Sequence, residues 1–429
     1  MRGGRVAVVG GSIAGCAAAL AASRCGADEV VVYERAGGEL QDRGVGLGVN
    51  DDRYAELCAA GFMDDGIPWV RLASRRWFAS ADDESGSPAS SGRSGSPVGF
   101  GRQIAVQPFP FRGYTWGSLW RGLRGRVPDS VRYHTDSPVA SVADGPDGAV
   151  VQLTDGSVER FDVVIGADGY RSVVRAAMFP DAVPQYAGYL LWRGTFPAER
   201  LAEVAHLAGD GEAWNGDEAV TIGLAGGRGR PVGHVMTYRI PADGGGENVN
   251  WALYATAPEG LDLNPETPKS LPPGTVTKAL IDHLHAMIET QLPPYWGAVF
   301  RRTEPGRLAV QPIYDLEVSS VVGSRLLLTG DAAAVARPHG GGGAVKALQD
   351  AAVLETVWHA ASTWDEVLSG YDAERRPVGH AMVAMGRRVG EAQVTDAPDW
   401  ARYNQERFDA WWQRSLATVA LGGLELRRG

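Results

Sequence analysis

Two hydrophobic periods alternate along this chain, and their order predicts its architecture. Residues 5–9 are a short apolar, β-branched run, 13–25 are alanine-rich with a helical pattern, and 29–33 are a second Val-rich run. Strand, helix and strand within about 30 residues open a βαβ unit. A helix is expected over 114–127. Strands are expected over 131–142 and 149–153, with Asp155-Gly156 as a hairpin turn. The pattern then changes. Segments 190–196, 219–224, 233–240 and 250–254 alternate apolar and polar positions, the signature of an antiparallel sheet. The Gly-rich segment 241–248 joins two of them. The helical period returns over 276–291, followed by a buried strand over 325–329. Further helices are expected over 343–361, 367–389 and 400–416. Residues 80–102, rich in Ser, Gly and Pro, read as a surface loop.

Three glycine-marked turns stand at strand ends. The first is Gly10-Gly11-Ser12-Ile13-Ala14-Gly15, the second Gly166-Ala167-Asp168-Gly169, the third Thr329-Gly330-Asp331. The first follows the GxGxxG pattern with Ser12 in the middle position. Serine fits beside a phosphate and can donate to it, and the following helix aims its free N–H groups at an anion. Glu34 closes the second strand about 20 residues on, where an acid receives ribose hydroxyls and disfavours a 2′-phosphate. Asp168 begins a turn followed by Arg171-Ser172-Val173-Val174-Arg175. Asp331 ends a buried strand, suited to the hydroxyls of a ribityl chain. The glycines of Gly340-Gly341-Gly342-Gly343 let backbone lie against a flat ring at a helix start. Together these point to FAD. The expected fold is α/β: a Rossmann-like FAD-binding domain with an inserted mixed or antiparallel β-sheet substrate domain and C-terminal helices. The expected divisions are 1–75, 104–185 and 299–390 for the discontinuous FAD domain and 76–103 for a flexible insertion. Residues 186–298 form the sheet domain and 391–429 a C-terminal helical segment.

Composition narrows the partners. With 429 residues, 44% of them hydrophobic, the chain can build more than one domain. A net charge of -10 argues against nucleic acid or an anionic membrane surface. The three cysteines, Cys16, Cys25 and Cys58, form no CxxC, which removes redox-dithiol flavoenzymes and fits a reducing, cytoplasmic setting. No stretch reads as a membrane span, and no residue set is assigned to a metal.

The ordered motifs resemble a class A FAD-dependent aromatic monooxygenase of the p-hydroxybenzoate hydroxylase fold, closest to the 2,6-dihydroxypyridine 3-hydroxylase-like branch. The branch is carried by Gly10-Gly11-Ser12, Trp192-Arg193-Gly194, Asn250-Trp251, Gln311-Pro312-Ile313-Tyr314-Asp315 and Arg337-Pro338-His339. Tyr371-Asp372-Ala373-Glu374-Arg375-Arg376-Pro377 matches the wider fold family. The chain departs from the family pattern at Ala334, where His is common, at Val345, where Asn is common, and at Trp116, where Arg or Gln faces the flavin phosphate. The resemblance implies a cofactor set of Gly10, Ser12, Ile13, Ala14, Gly15, Glu34, Arg35, Arg43, Trp116, Val139, Asp168, Asp331, Gly341, Gly342, Gly343 and Ala344. It also implies NADH or NADPH as transient reductant, without a second dinucleotide domain. Gly226-Gly227-Arg228-Gly229-Arg230 lacks a flanking βαβ unit and reads as a hairpin loop.

The implied reaction delivers one oxygen from a flavin C4a-hydroperoxide to an electron-rich aromatic ring, with water excluded. A base or cation beside a phenol-like substrate is expected, and the candidates are Arg193, His234, Tyr238 and His339. His234 also reads as a structural strand residue, and Tyr238 as a sheet aromatic with a satisfied hydroxyl. Trp69, Trp77, Trp116, Trp120, Trp192, Trp214 and Trp251 are candidates for an aromatic pocket wall. Trp411-Trp412 would pack a helix or a homodimer contact. The same flavin chemistry would also serve epoxidation, Baeyer–Villiger insertion or oxidative decarboxylation. A non-catalytic FAD-binding redox sensor is a further reading.

Overall fold

Four runs that are apolar at nearly every position, rather than at alternate ones, suit strands buried on both faces. In the computed structural model they pair in parallel in the order Leu326–Leu328, Val163–Gly166, Arg5–Val9 and Glu29–Tyr33, with the polar strand Arg132–His134 at the edge. The structure describes residues 3–38, 40, 46–80, 98–208, 214, 216–224, 232–257 and 269–416. Arg43, the segment 226–230 and most of the 76–103 insertion lie outside the described residues. Helices Ile13–Arg24 and Gly343–Ala360 share one hydrophobic core with the parallel sheet.

The alternating segments build a second, mixed sheet of eight strands. Its order is Ala309–Asp315, Gln185–Pro197, Glu247–Thr256, Gly233–Pro241, Glu218–Leu224, Val70–Ala79, Gln103–Thr115 and Gly46–Asn50. All neighbours are antiparallel except Glu218–Leu224 and Val70–Ala79. The period of two divides its side chains. Leu190, Trp192, Val220, Ile222, Val235, Trp251 and Leu253 share a core with helices Lys278–Gln291 and Pro294–Phe300. Tyr189, Leu191, Arg193, His234, Tyr238 and Tyr254 occupy alternate positions and face the other way. A small antiparallel sheet, Val139–Ala143, Ala149–Leu153 and Val158–Phe161, completes the strands.

Several elements differ from the sequence expectation for identifiable reasons. The helix expected over 114–127 is Trp116–Arg124, because the strand before it runs to Thr115 and the Thr115 hydroxyl accepts from the Ser118 N–H at 3.0 Å. The strand expected over 131–142 is broken: Asp136 has a φ of 51°, and Pro138 has no N–H for a ladder. Trp192, Trp214 and Trp251 belong to the core under the helices, not to a wall facing the glycine turns. Trp411 and Trp412 pack on Trp77 and Phe408. No helix among the described residues is long and apolar enough to cross a membrane.

Candidate functional site

Strand ends of the parallel sheet bring the three glycine turns together. Gly10 has a φ of 100°, and a Cβ there would lie 2.5 Å from the Ala167 carbonyl oxygen, so the first turn rests on the second. A Cβ on Gly15 would lie 1.8 Å from the Gly10 carbonyl oxygen, which is why the helix can start so close to its strand. Gly330, with a φ of 56°, would bring a Cβ to 2.9 Å from Ala14, so the third turn rests on the first helix. Arg175 ties the second turn to the third: its guanidinium donates to the carbonyls of Tyr170 and Ala332.

Two helices aim unsatisfied N–H groups at this cluster. Ser12 and Gly342 precede helices Ile13–Arg24 and Gly343–Ala360, and neither supplies a side-chain cap. By contrast, Asn50, Thr115, Ser172, Thr277 and Thr363 each cap the helix that follows with a side-chain oxygen. The two long helices left uncapped are those at the glycine turns, and such ends receive anions or electron-rich edges.

The acids of the cluster have distinct surroundings. Both oxygens of the buried Glu34 are engaged, accepting from the Gly11 N–H at 2.7 Å and the Ala36 N–H at 2.8 Å. Asp168 Oδ2 accepts from the Val173 N–H at 2.7 Å, while its buried Oδ1 has no partner. Burial raises the Asp168 carboxyl against those hydrogen bonds. Asp331 is exposed to solvent at the third turn, beside the glycine loop. Desolvation pushes its carboxyl up, with Lys346 and Arg175 opposing and Asp350 reinforcing. A Cβ on Gly343 would lie 3.9 Å from Asp331 Oδ1, which places the acid beside the glycine loop.

A buried network behind the third turn was not anticipated from sequence. Asp350 accepts from Lys346 Nζ at 2.7 Å, Arg375 Nε at 2.7 Å and the Gly330 N–H at 2.9 Å. Lys346 also donates to the Gly330 carbonyl at 3.2 Å, and Tyr371 donates to Leu328 at 3.1 Å. The signal available in sequence was the spacing Lys346-x-x-x-Asp350, one helical turn, on a face otherwise apolar. In the same way, Trp120 Nε1 and the Tyr133 hydroxyl donate to the Gly11 carbonyl at 2.9 and 2.7 Å and fix the first turn.

The second sheet turns its polar face to this cluster. Gly46 donates its N–H to Asn250 Oδ1 at 3.2 Å, and a Cβ on Gly46 would lie 2.9 Å from the Tyr238 hydroxyl. His339, just before the glycine loop, meets the Tyr189 hydroxyl at 2.6 Å and lies with its ring centroid 4.5 Å from that of Tyr254 and 5.6 Å from that of His234. Burial, then the neighbouring His234, Arg337 and Arg75, hold His339 neutral far below its usual range. Burial and Arg75 push His234 down to about 3. Tyr238 is buried on this face, with its hydroxyl beside Gly46. Arg193 Nε is buried and unpaired.

The structure thus brings Gly10, Ser12, Ile13, Ala14, Gly15, Glu34, Asp168, Asp331 and Gly341 to Ala344 to one cluster, and sets Arg193, His234, Tyr238 and His339 beside it. Trp116 is half-buried and stacks on Trp120 with centroids 6.4 Å apart. Val139 is half-buried near Ser137, whose N–H bonds the Glu34 carbonyl. Arg35 is exposed.

Uncapped helix ends, turns that admit no Cβ, an unpartnered Asp168 oxygen and Asp331 beside the glycine loop fit an extended dinucleotide ending in a flat ring. The fold and this site are those of an FAD-dependent monooxygenase, and the chain is similar to class A flavoprotein aromatic monooxygenases. Residues 256–385 match the FAD binding domain family. The chain is 28% identical over 388 residues to 2,6-dihydroxypyridine 3-monooxygenase of Paenarthrobacter nicotinovorans, covering 88% of each protein. It is 28% identical over 406 residues to 3-amino-4-hydroxybenzoate 2-monooxygenase of Streptomyces cremeus, covering 92% of this chain and 89% of that one. The solved structure of 2,6-dihydroxypyridine-3-hydroxylase from Arthrobacter nicotinovorans superposes with a TM-score of 0.76 at 25% identity, over 92% of this chain and 94% of that chain.

Proposed function

We propose that this monooxygenase hydroxylates a small, electron-rich aromatic or heteroaromatic ring that docks between the glycine turns and the polar face of the eight-stranded sheet. One observation carries the reading. The sheet face bearing Arg193, His234, Tyr238 and Tyr254 meets the loop bearing His339, directly beside Gly341. The relatives support the ring class, since those named above act on a dihydroxypyridine and an aminohydroxybenzoate.

Bound FAD, reduced by NADH or NADPH, supplies the activation of dioxygen. The chain's own residues do the rest. The free N–H groups at the start of Ile13–Arg24 hold the pyrophosphate, and those at the start of Gly343–Ala360 face the electron-rich edge of the ring system. Asp331 and the free oxygen of Asp168 accept from hydroxyls of the flavin chain. Glu34 keeps lone pairs for the ribose beyond its two backbone bonds. Leu191, Tyr189 and Tyr254 are buried and keep water from the reacting face. His339 is held neutral, so it suits accepting a hydrogen bond rather than storing a proton. The Arg193 guanidinium, with its buried Nε unpaired, suits stabilising a ring hydroxyl as it ionises.

The test is turnover of the FAD-loaded protein with NADH and NADPH against dihydroxypyridines and aminohydroxybenzoates, with products read by mass. A product heavier by one oxygen atom is expected. Nicotinamide oxidation that yields only hydrogen peroxide and unaltered ring across the panel would overturn the hydroxylase reading.

A further inference from the structure

The polar face of the eight-stranded sheet holds a cation without a counterion. Arg75, on strand Val70–Ala79, is 5% exposed. It is in register with Ala219, and its Nε donates to Thr221 Oγ1 at 2.8 Å. Its other contacts are aromatic: the guanidinium lies 4.3 Å from the Trp77 ring centroid, 5.9 Å from that of Phe109 and 5.9 Å from that of Trp412. Among the described residues no carboxylate pairs with it, and its terminal nitrogens have no hydrogen-bond acceptor. By contrast, Arg76 on the same strand and Arg239 on strand Gly233–Pro241 of the same sheet pair with Glu218 and Glu247. Cation–π contacts recover only part of the cost of desolvating a guanidinium. A protein tolerates such a group where a ligand completes it.

Arg193 lies on the same face, with no ion pair among the described residues. The Tyr254 phenol between them is raised by burial and opposed by the charges of both Arg193 and Arg75. The histidines of this face, His234 and His339, are held neutral and add no charge of their own. Among the described residues of this face, Arg75 and Arg193 are therefore the cations without a paired acid, since Arg337 beside Tyr189 and His339 is matched by Asp315, and the walls are aromatic.

We infer that the ring bound in this pocket is an anion, and that Arg75 is the residue that anchors its negative group. This rests on the hydroxylase reading for the word substrate, but not for the binding itself. Arg75 is a specificity-determining residue here, remote in sequence from every flavin motif.

The experiment is equilibrium binding to the FAD-loaded protein, read by flavin absorbance and by calorimetry, so turnover is not needed. Two matched pairs serve as probes: 3-amino-4-hydroxybenzoate against its carboxamide, and 4-nitrophenolate at alkaline pH against 4-nitroanisole. The first pair reports a carboxylate, the second an ionised hydroxyl. In the native protein at least one anion should bind tighter than its neutral partner by about 10- to 100-fold, the range for a hydrogen bond to a charged group. Arg75→Met should erase that preference while FAD content stays unchanged, and Arg75→Lys should restore part of it. Equal binding of anion and neutral partner, no anion binding at all, or a preference that survives in Arg75→Met would each overturn the inference. If Arg75→Met fails to fold, the native comparison and Arg75→Lys still decide. Anion preference without hydroxylated product would sink the hydroxylase reading and leave this one standing.

Discussion

Lys346→Met tests whether buried charge holds the turn that presents Asp331. The Lys346 and Asp350 side chains are 4% and 1% exposed and lie one helical turn apart. Methionine keeps most of the stem volume, so packing changes little and the lost charge dominates. The variant forfeits the 2.7 Å bond to Asp350 and leaves the Gly330 carbonyl without its 3.2 Å donor. Removing one partner of a buried pair costs about 3–5 kcal/mol when the other charge is left uncompensated. Here Arg375 remains on Asp350, so the expected loss is nearer the value of one charged hydrogen bond, about 2–3 kcal/mol.

The assay is urea unfolding followed separately by tryptophan and by flavin fluorescence, because a large cofactor-binding protein need not unfold in one step. A pH series adds a sign. Burial pushes the Asp350 carboxyl up, but Lys346 and Arg375 outweigh it and hold it below the usual range. Its folded value is therefore below its unfolded value. The stabilisation is present above about pH 4 and is lost as pH falls through the folded value. Without Lys346 the folded value rises, so the acid loss should begin at higher pH. Unchanged midpoint, flavin affinity and acid limb would refute the idea that this pair supports the turn.

Asp331→Ala should weaken FAD binding by at least tenfold, about 1.4 kcal/mol, read as the flavin-to-protein absorbance ratio after gel filtration; full retention would mean the ribityl assignment is wrong. Gly194→Ala puts a Cβ 2.5 Å from the Trp251 ring, and should cost about 1–3 kcal/mol by overpacking, seen as a lower melting temperature. An unaltered melting temperature would show that Trp251 can move aside. His234 and His339 are buried neutral, whereas in the unfolded chain they protonate below about pH 6.5, so stability should fall as pH drops from there. His234→Gln should flatten that limb, and an identical profile would mean His234 is not the proton-linked group.

The parallel sheet and the two helices over it were legible because each strand is one uninterrupted apolar run between a glycine turn and a polar end. The alternating strands were equally legible as a sheet. Their partners were not. That Gly46–Asn50, Val70–Ala79 and Gln103–Thr115 join this same sheet is a fact of pairing across long sequence separations. The flavin cluster was readable since each of its turns carries its own glycines. The Lys346–Asp350–Arg375 network behind it was not, because its third member arrives from a different helix.

The pocket wall shows where local reading stops. Trp192, Arg193 and Gly194 look like one motif, yet strand geometry sends Trp192 into the far core and Arg193 toward the glycine turns. Gly194 is glycine because the ring of Trp251, on the adjacent strand, occupies the space of its side chain. The two motifs Trp192-Arg193-Gly194 and Asn250-Trp251 are therefore a single packing unit, and what it delivers to the site is Arg193 and Asn250. Arg75 has no such signature: Arg71 is exposed, Arg76 is paired, and nothing in the local window separates the three. What distinguishes Arg75 is that no acid approaches it when the sheet closes. That property is set jointly by the strands packed around it, and it makes this arginine, rather than a motif residue, the group that selects for charge.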